Sequence, residues 1–140
     1  MEIATGYFAR AKNYADDGYV LVSIAKVTPW FFSKDLKLHS LPALAPTEDI
    51  LSLRDRPAEY EKRYKNEILS HLSRMEVYQE LSRLAQESAA DKVVLLCYES
   101  SEKFCHRHIV AKWIEDGLGK VVSEVPQKQA AVQSLFESDV

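Results

Sequence analysis

An uninterrupted apolar run, Val93 to Leu96, limits the folds open to this chain more than any other feature. Strands with one solvent face alternate apolar and polar residues, whereas strands covered on both faces do not. The run is rich in β-branched residues, and Asp91 before it and the polar residues 99–102 after it bound its length. It therefore predicts the central strand of a sheet with helices on both sides.

A helical pattern begins at Cys105 and is expected to end at Gly117, because glycine suits the left-handed cap of a helix. His106 shares a face with Val110 and Trp113, since a turn of about 100° per residue brings these positions together. A buried strand, a short polar loop and an amphipathic helix in this order are typical of α/β proteins.

Three more strands are predicted from segments rich in β-favouring residues, at 2–8, 19–25 and 120–125. Residues 27–46 contain prolines and aromatic residues without a helical period, and we expect them to be irregular. The predicted fold class is α/β: a single three-layer α/β sandwich with a small, mainly parallel sheet of about four strands, formed by residues 1–125.

Length and charge exclude several classes of protein. The 140 residues are enough for one domain with a genuine core. A net charge of −3 argues against binding of duplex nucleic acid through a general basic face. Residues 1–20 show no signal peptide, and no apolar run reaches membrane-spanning length. We therefore expect a cytoplasmic protein whose two cysteines are reduced thiols.

The junction between the central strand and the next helix predicts an anion site. In open α/β sheets, ligands bind beyond the carboxyl ends of the strands. A helix N-terminus at that edge presents unpaired N–H groups and a partial positive charge. Arg107 adds a fork of donors that suits phosphate or carboxylate, and the position of Cys105 is expected to lower its thiol pKa.

Two basic residues, Arg10 and Lys26, directly follow predicted strands. If those strands run parallel to the central one, both cations face the Cys105 helix terminus and join Arg107 as ligand-binding candidates. The alternative is that both are simply solvated. Trp30 is a further ligand-binding candidate, since it could stack on a flat ligand such as a base. For Trp30 we favour the alternative that it plugs the edge of the core.

Four side chains near the junction are candidates for catalysis: Cys97, Glu99, Cys105 and His106. Cys97 and Glu99 project to the same side, because strand side chains alternate. A cysteine could act as nucleophile or redox thiol, with Glu99 or His106 as acid or base. The alternatives are structural: His106 could be a hydrogen-bonded core histidine, and Cys97 an inert small hydrophobe.

The same cysteines and histidines raise the question of a metal. Zinc takes such ligands, but the spacing of the group fits no common closed zinc site: Cys97, Cys105, His106 and His108. We therefore predict no metal ligands and no cofactor, and a zinc-stabilised structural module stays as a minor alternative.

The segment LLCYESSEKFCHRHIVAKWI resembles the signature of the bacterial and archaeal family called domain of unknown function 488, or DUF488. That signature is a hydrophobic strand, Leu-Cys-x-Glu, a short acidic loop and Cys-His-Arg opening a helix. Here these are residues 96–99 and 105–107, and weaker similarity covers most of residues 1–125. Many members carry an arginine where this chain has Lys26. The resemblance implies a fold and a site, but no particular reaction.

The final residues, 126–140, differ in composition from the rest and are expected to form a tail that could be mobile. Within it, four residues resemble the peptide that docks replication and repair proteins onto sliding DNA clamps: Gln129, Val132, Leu135 and Phe136. The resemblance implies a partner-binding segment. The alternative is a turn of helix that folds back onto its own domain.

Two functions therefore remain open. One is a Cys/His/Glu-dependent enzyme that acts on a small anionic ligand, such as a phosphate compound or a nucleotide. The other is a non-catalytic adaptor of DNA repair or replication that docks on a sliding clamp through the tail. Neither involves a membrane, and the sequence does not decide whether the protein is an enzyme.

Overall fold

The computed structural model describes residues 1–99 and 104–126. The strands in these residues are β1 (Glu2–Tyr7), β2 (Val20–Ser23), β3 (Leu38–Ser40), β4 (Lys92–Cys97) and β5 (Val122–Glu124). They form one sheet in the order β3-β2-β4-β1-β5, and every pairing is parallel. The run from Val93 to Leu96 is thus the middle strand, as its unbroken apolar character predicts.

The α-helices of the described residues are α1 (Ala11–Asp16), α2 (Glu48–Leu51), α3 (Pro57–Glu67), α4 (Arg74–Glu87) and α5 (His106–Leu118). Short 3-10 helices span Phe8–Arg10, Pro42–Leu44 and Leu69–His71. Helices lie in the other connections between strands of the described sheet, because a parallel pair needs a long crossover, but residues 24–37 join β2 to β3 without a helix.

Alternate side chains of β4 divide the core into two clusters. Val93, Leu95 and Cys97 lie in a large cluster with residues of α3, α4 and α5. Val94 and Leu96 lie in a smaller cluster with residues of α1. Both faces of the sheet are therefore covered, which confirms the predicted α/β class with a single, mainly parallel sheet.

The strand β3 differs from the prediction, because it lies inside the segment 27–46 that we expected to be irregular. It pairs only with β2, at the edge of the sheet, and its side chains are partly or fully exposed. Three residues at an exposed edge are too few to show a period of two, so the sequence gives no signal for this strand.

The end of α5 also differs from the prediction. The helix runs past Gly117 to Leu118, and Gly119 is the residue with the left-handed conformation, at φ 65°. A Cβ atom at Gly117 would collide with the side chain of Arg74. Gly117 thus leaves room for the side chain of Arg74, which a larger residue would displace, and Gly119 is the cap.

None of the helices in residues 1–99 and 104–126 is long and apolar enough to cross a bilayer. The predicted clamp-binding residues, Gln129 to Phe136, lie outside the described residues. Docking through the tail therefore stays a prediction.

Candidate functional site

A cavity of about 530 Å³ lies where the carboxyl ends of β2 and β4 meet the N-terminus of α5. Four stretches of chain and one helix residue form its wall: Ala25, Lys26 and Val27; Pro46, Glu48, Leu51 and Arg54; residues 97–99 at the end of β4; residues 104–106 at the start of α5; and Tyr60. This is the edge of the sheet at which ligands of α/β proteins bind.

The cavity brings together five residues that the sequence singled out: Lys26, Cys97, Glu99, Cys105 and His106. Alternation along the strand carries Cys97 and Glu99 to one side, as expected. The start of α5 then places the adjacent pair of cysteine and histidine opposite them. The roles assigned to these residues remain hypotheses, but their proximity is a feature of the fold.

Cys97 and Cys105 form a disulfide, with their Cα atoms 7.1 Å apart. The expectation of two reduced thiols is therefore not what the structure contains. The reason is topological: α5 begins directly beyond the end of β4, so the last residue of the strand and the residue before the helix become neighbours. Sequence separation alone could not show this proximity.

His106 is buried and its ring is held by a backbone carbonyl. Its Nε2 lies 2.6 Å from the oxygen of Ile24. A carbonyl only accepts hydrogen bonds, so Nε2 must carry the proton and Nδ1 must hold a lone pair. Burial lowers the pKa of His106 to about 4; the bond to Ile24 opposes this shift, and the charge of Arg107 adds to it. The ring is therefore neutral near pH 7.

The free nitrogen of His106 faces a sulphur. Nδ1 lies 3.7 Å from the Sγ atom of Cys105. Because the pKa of His106 is so low, the ring is a poor store for a proton at neutral pH. It suits the roles of hydrogen-bond acceptor or metal ligand better. His106 thus combines the buried histidine of the structural alternative with a place in the cavity wall.

Arg107 contacts two residues of the cavity wall, and its fork is occupied by groups of the protein. Its side chain is fully buried, and Nε and Nη2 donate to the two carboxylate oxygens of Glu124 at 3.0 and 2.9 Å. Nη1 donates to the carbonyl of Glu99 at 2.6 Å and to Sγ of Cys97 at 3.0 Å. Arg107 therefore fixes the end of β4 and does not belong to the cavity lining.

The partner of Arg107, Glu124, is a residue that the sequence analysis missed. It lies in β5 opposite Thr5 of β1, and Thr5 Oγ1 donates a hydrogen bond to it. Burial raises the pKa of this carboxyl, but the hydrogen bonds from Arg107 and Thr5 outweigh burial and lower it. Only the strand order, with β5 beside β1, makes the contact, so no sequence pattern could have found it.

The cavity carries two cations, Lys26 and Arg54, and two acids, Glu48 and Glu99. Lys26 Nζ lies 3.0 Å from Glu48, but both side chains are partly exposed, so this pair is weak and exchangeable. Sequence reasoning did not select Arg54, because nothing in the spacing of the short helix α2 points to the cavity. At the N-terminus of α5 the N-cap residue Cys105 makes no side-chain capping hydrogen bond, and no acid occupies the first turn of the helix.

Arg10 and Trp30, two other predicted ligand-binding residues, are not part of this cavity wall. Arg10 follows β1, which lies on the other side of β4 from β2. Trp30 is 95% exposed, so the interpretation that it plugs the edge of the core is wrong. It lies in the loop between β2 and β3, whose first residues, Ala25 to Val27, do line the cavity.

One group in the described residues could hold a metal ion: Cys97, Cys105 and His106. Their ligand atoms all lie within 4.8 Å of one another, and the three side chains are buried. Sequence spacing did not predict this set, because the fold brings the strand end to the helix start.

Comparison with protein families gives one further finding. The family model DUF488-N3a, described as the active DUF488-N3 subclade, matches residues 10–118, which is more than half of the chain. The match spans the cavity residues from Lys26 to His106 but ends before Glu124. Neither the curated proteins nor the solved structures gave a match to this chain. Together, the Leu-Cys-x-Glu and Cys-His-Arg signature and this match show that the chain belongs to the DUF488 family.

Proposed function

We propose that the cavity is the active site of a dithiol enzyme, which reduces a sulphur–sulphur bond in a small anionic molecule. The observation that carries the proposal is the pairing of Cys97 and Cys105 in the wall of a cavity large enough for such a molecule. Two thiols that can close a disulfide supply two electrons without a further cofactor. The description of the matched subclade as active agrees with a catalytic role.

Anion recognition in this proposal rests on three positive groups. Lys26 and Arg54 lie in the cavity wall, and the N-terminus of α5, where Cys105 makes no side-chain capping bond, adds N–H groups and a partial positive charge. A phosphate or carboxylate of the substrate would compete with Glu48 for Lys26. That exchange is cheap, because an exposed ion pair is worth only about 0.2–1 kcal/mol.

Cys105 is the attacking thiol of the proposed reaction. It directly precedes α5, where the helix terminus favours the thiolate over the thiol. The thiolate attacks one sulphur of the substrate R–S–S–R, forms a mixed disulfide and releases one RS⁻. Solvent supplies the proton that converts RS⁻ into a neutral thiol.

Cys97 completes the reaction. Arg107 Nη1 donates to its sulphur at 3.0 Å, and a cationic donor also favours a thiolate. The Cys97 thiolate attacks Sγ of Cys105, releases the second RS⁻ and leaves the protein disulfide that the structure contains. The substrate gains two electrons and two protons, and the protein dithiol loses them. A small-molecule thiol or a dithiol protein must then reduce the pair again.

His106 orients the pair in this scheme. Its Nδ1 lies 3.7 Å from the Cys105 sulphur and could accept the thiol hydrogen of Cys105 before the thiolate forms, while the bond from Nε2 to Ile24 fixes the ring. Since the pKa of His106 is lowered to about 4, the ring does not carry a proton to transfer near pH 7, and solvent supplies the protons.

The proposal is tested by mixing reduced, chelator-treated protein with two disulfides. Oxidised glutathione carries carboxylates, and bis(2-hydroxyethyl) disulfide is neutral. Formation of the protein disulfide, followed by mass spectrometry after alkylation of free thiols, should be faster with oxidised glutathione. Lys26→Gln together with Arg54→Gln should reduce that preference by roughly twofold to thirtyfold, since each of the two exposed pairs contributes about 0.2–1 kcal/mol.

Lys12→Gln is the matched control, because Lys12 is an exposed lysine of α1 on the other face of the sheet. The preference of this variant for oxidised glutathione over the neutral disulfide should equal that of the wild-type protein. If Cys105→Ser and wild-type protein consumed oxidised glutathione at the same rate, the proposed reaction would be wrong.

A further inference from the structure

We infer that the dithiol form of this protein binds a zinc-class divalent metal ion through Cys97 Sγ, Cys105 Sγ and His106 Nδ1, with the fourth coordination position open to the cavity. This site goes beyond the proposed reaction. It needs only that the disulfide be reduced, and it stands or falls separately from any turnover of a substrate.

The first argument is the rigidity of the ligand set. Cys97 ends the central strand β4, and Cys105 and His106 open α5, so two buried elements of the core hold all three side chains. Their ligand atoms lie within 4.8 Å of one another. Metal binding would therefore order little additional chain, so the usual loss of conformational entropy on binding is small.

The second argument is the tautomer of His106. A histidine that binds a metal almost always donates its other ring N–H to a carboxylate or a backbone carbonyl. His106 does this already, with Nε2 at 2.6 Å from the oxygen of Ile24. The lone pair of Nδ1 therefore points toward the sulphurs, without a proton to displace.

The third argument is the distance between two of the ligand atoms. Zinc binds thiolate sulphur at about 2.3 Å and imidazole nitrogen at about 2.0–2.1 Å in tetrahedral sites, so sulphur and nitrogen ligands lie about 3.6 Å apart. Cys105 Sγ and His106 Nδ1 are 3.7 Å apart. These neighbours in sequence can thus occupy one edge of a tetrahedron without rearrangement.

The backbone around the cysteines also suits separated sulphurs. Their Cα atoms are 7.1 Å apart, just beyond the usual disulfide range of about 4.4–6.8 Å. On reduction the two sulphurs must move apart, and a metal ion between them would then satisfy both. The oxidised pair has no thiolate charge, so the disulfide form should not bind the ion.

Charge supports the same conclusion. Two thiolates and one divalent ion are neutral together, which limits the cost of burying them. Arg107 donates to the Cys97 sulphur at 3.0 Å, and the charge of Arg107 is itself balanced by Glu124. An outer N–H donor of this kind is typical of built metal sites.

Three protein ligands with an adjoining cavity make an open site. Closed structural zinc sites have four protein ligands, whereas catalytic sites keep one position for water or substrate. Among the described residues, no fourth ligand belongs to the group, and all three members line the cavity of about 530 Å³. The ion would thus lie in reach of a molecule bound there.

The test is a titration of reduced, chelator-stripped protein with Co(II) under nitrogen, followed by Zn(II). One equivalent of Co(II) should give the intense visible bands of tetrahedral cobalt and a thiolate charge-transfer band. Zn(II) should abolish both, because it binds such ligands more tightly than cobalt. The disulfide form should give no bands. Absence of bands in the reduced protein, or equal bands in both forms, would overturn the inference.

Variants assign the ligands. Cys97→Ser, Cys105→Ser and His106→Gln should each weaken binding by more than the roughly hundredfold known for outer-shell substitutions. His108→Gln is the matched control: it changes an exposed histidine of the same helix turn and should leave the titration unchanged. A Cys97→Ser or Cys105→Ser variant that kept the wild-type affinity would contradict the ligand set.

A measurement on the wild-type chain keeps the inference testable if His106→Gln does not fold. One equivalent of Zn(II) should protect both cysteines of the native protein from iodoacetamide. In nitrogen-15 histidine spectra, the Nδ1 signal of His106 should move and that of His71 should not. Protection of neither cysteine, or an unchanged His106 signal, would remove the site.

Discussion

Arg107 and Lys26 are two cations at the same edge of the sheet, and the sequence assigns both to anion binding. The structure gives them opposite surroundings. Arg107 is fully buried, and its nitrogens are bonded to Glu124, Cys97 and Glu99. Lys26 is partly exposed in the cavity wall and has one exposed partner, Glu48.

The difference teaches which cations a ligand can use. A buried arginine whose three nitrogens all donate to protein groups is part of the framework, and a ligand would have to break that framework to reach it. A lysine with one weak, exposed partner is available, because its partner can be exchanged at low cost. The candidate for ligand binding is therefore Lys26, while Arg107 holds Cys97 and Glu99 of the cavity wall in place.

The largest effect should come from Arg107→Met. The substitution leaves the Glu124 carboxylate half-buried without its cation, and breaking such a pair typically costs about 3–5 kcal/mol. Urea denaturation should show a loss in this range. Adding Glu124→Gln to the same chain should recover part of it, because the unpaired charge is then gone. A loss below about 1 kcal/mol would show that Arg107 is not part of the framework.

Thr5→Val should have a smaller effect on the same pair. It keeps the shape of the side chain but removes the hydroxyl donor to Glu124, and hydrogen bonds to charged groups contribute about 1.5–3 kcal/mol. Because Glu124 is partly exposed, we expect the loss in free energy of unfolding to be near the lower end of this range. The loss is measured by thermal unfolding of Thr5→Val and of Thr5→Ser, which keeps the hydroxyl and is the control. Equal stability of the two variants would contradict the contact.

The next largest effect should be the contribution of the Glu124 carboxylate to the pH dependence of stability. Its pKa is lowered in the fold, so the unfolded chain binds this proton at higher pH than the native protein does. The stabilisation is therefore complete above the ordinary value of 4.5 and is lost as the pH falls through the lowered folded value. Urea midpoints should fall less steeply below pH 4.5 in Glu124→Gln than in the wild-type protein. If the urea midpoints of the two proteins fell equally steeply with pH, Glu124 would not be a strong partner of Arg107.

The smallest effect on stability should come from Lys26→Gln. Its exposed pair with Glu48 contributes little, so the free energy of unfolding should change by less than about 0.5 kcal/mol. The same variant should lower the preference for an anionic over a neutral disulfide. A large loss of stability in Lys26→Gln would show that Lys26, like Arg107, is part of the framework.

Much of the framework could be predicted from the sequence because its signals are local. The unbroken run of β4 requires two covered faces, and alternation places Cys97 and Glu99 on one side. His106 falls on the buried face of α5 by its helical spacing. These features depend only on residues near one another in the chain.

The rest depends on contacts between distant segments. The fork of Arg107 looks free until β5 brings Glu124 alongside β1. Gly117 looks like a helix cap until Arg74 packs against it. The disulfide exists only because α5 begins next to the end of β4. A single sequence contains no signal for any of these neighbours.

The most direct test of the proposed dithiol reaction is to trap its intermediate. Metal-free Cys97→Ser and Cys105→Ser proteins would be mixed with oxidised glutathione, quenched with acid and examined by mass spectrometry of peptides. We predict that Cys97→Ser accumulates a mixed disulfide on Cys105, because the resolving thiol is missing, and that Cys105→Ser accumulates far less on Cys97. Equal modification of the two variants, or modification of neither, would contradict the assignment of Cys105 as the attacking thiol in this cavity.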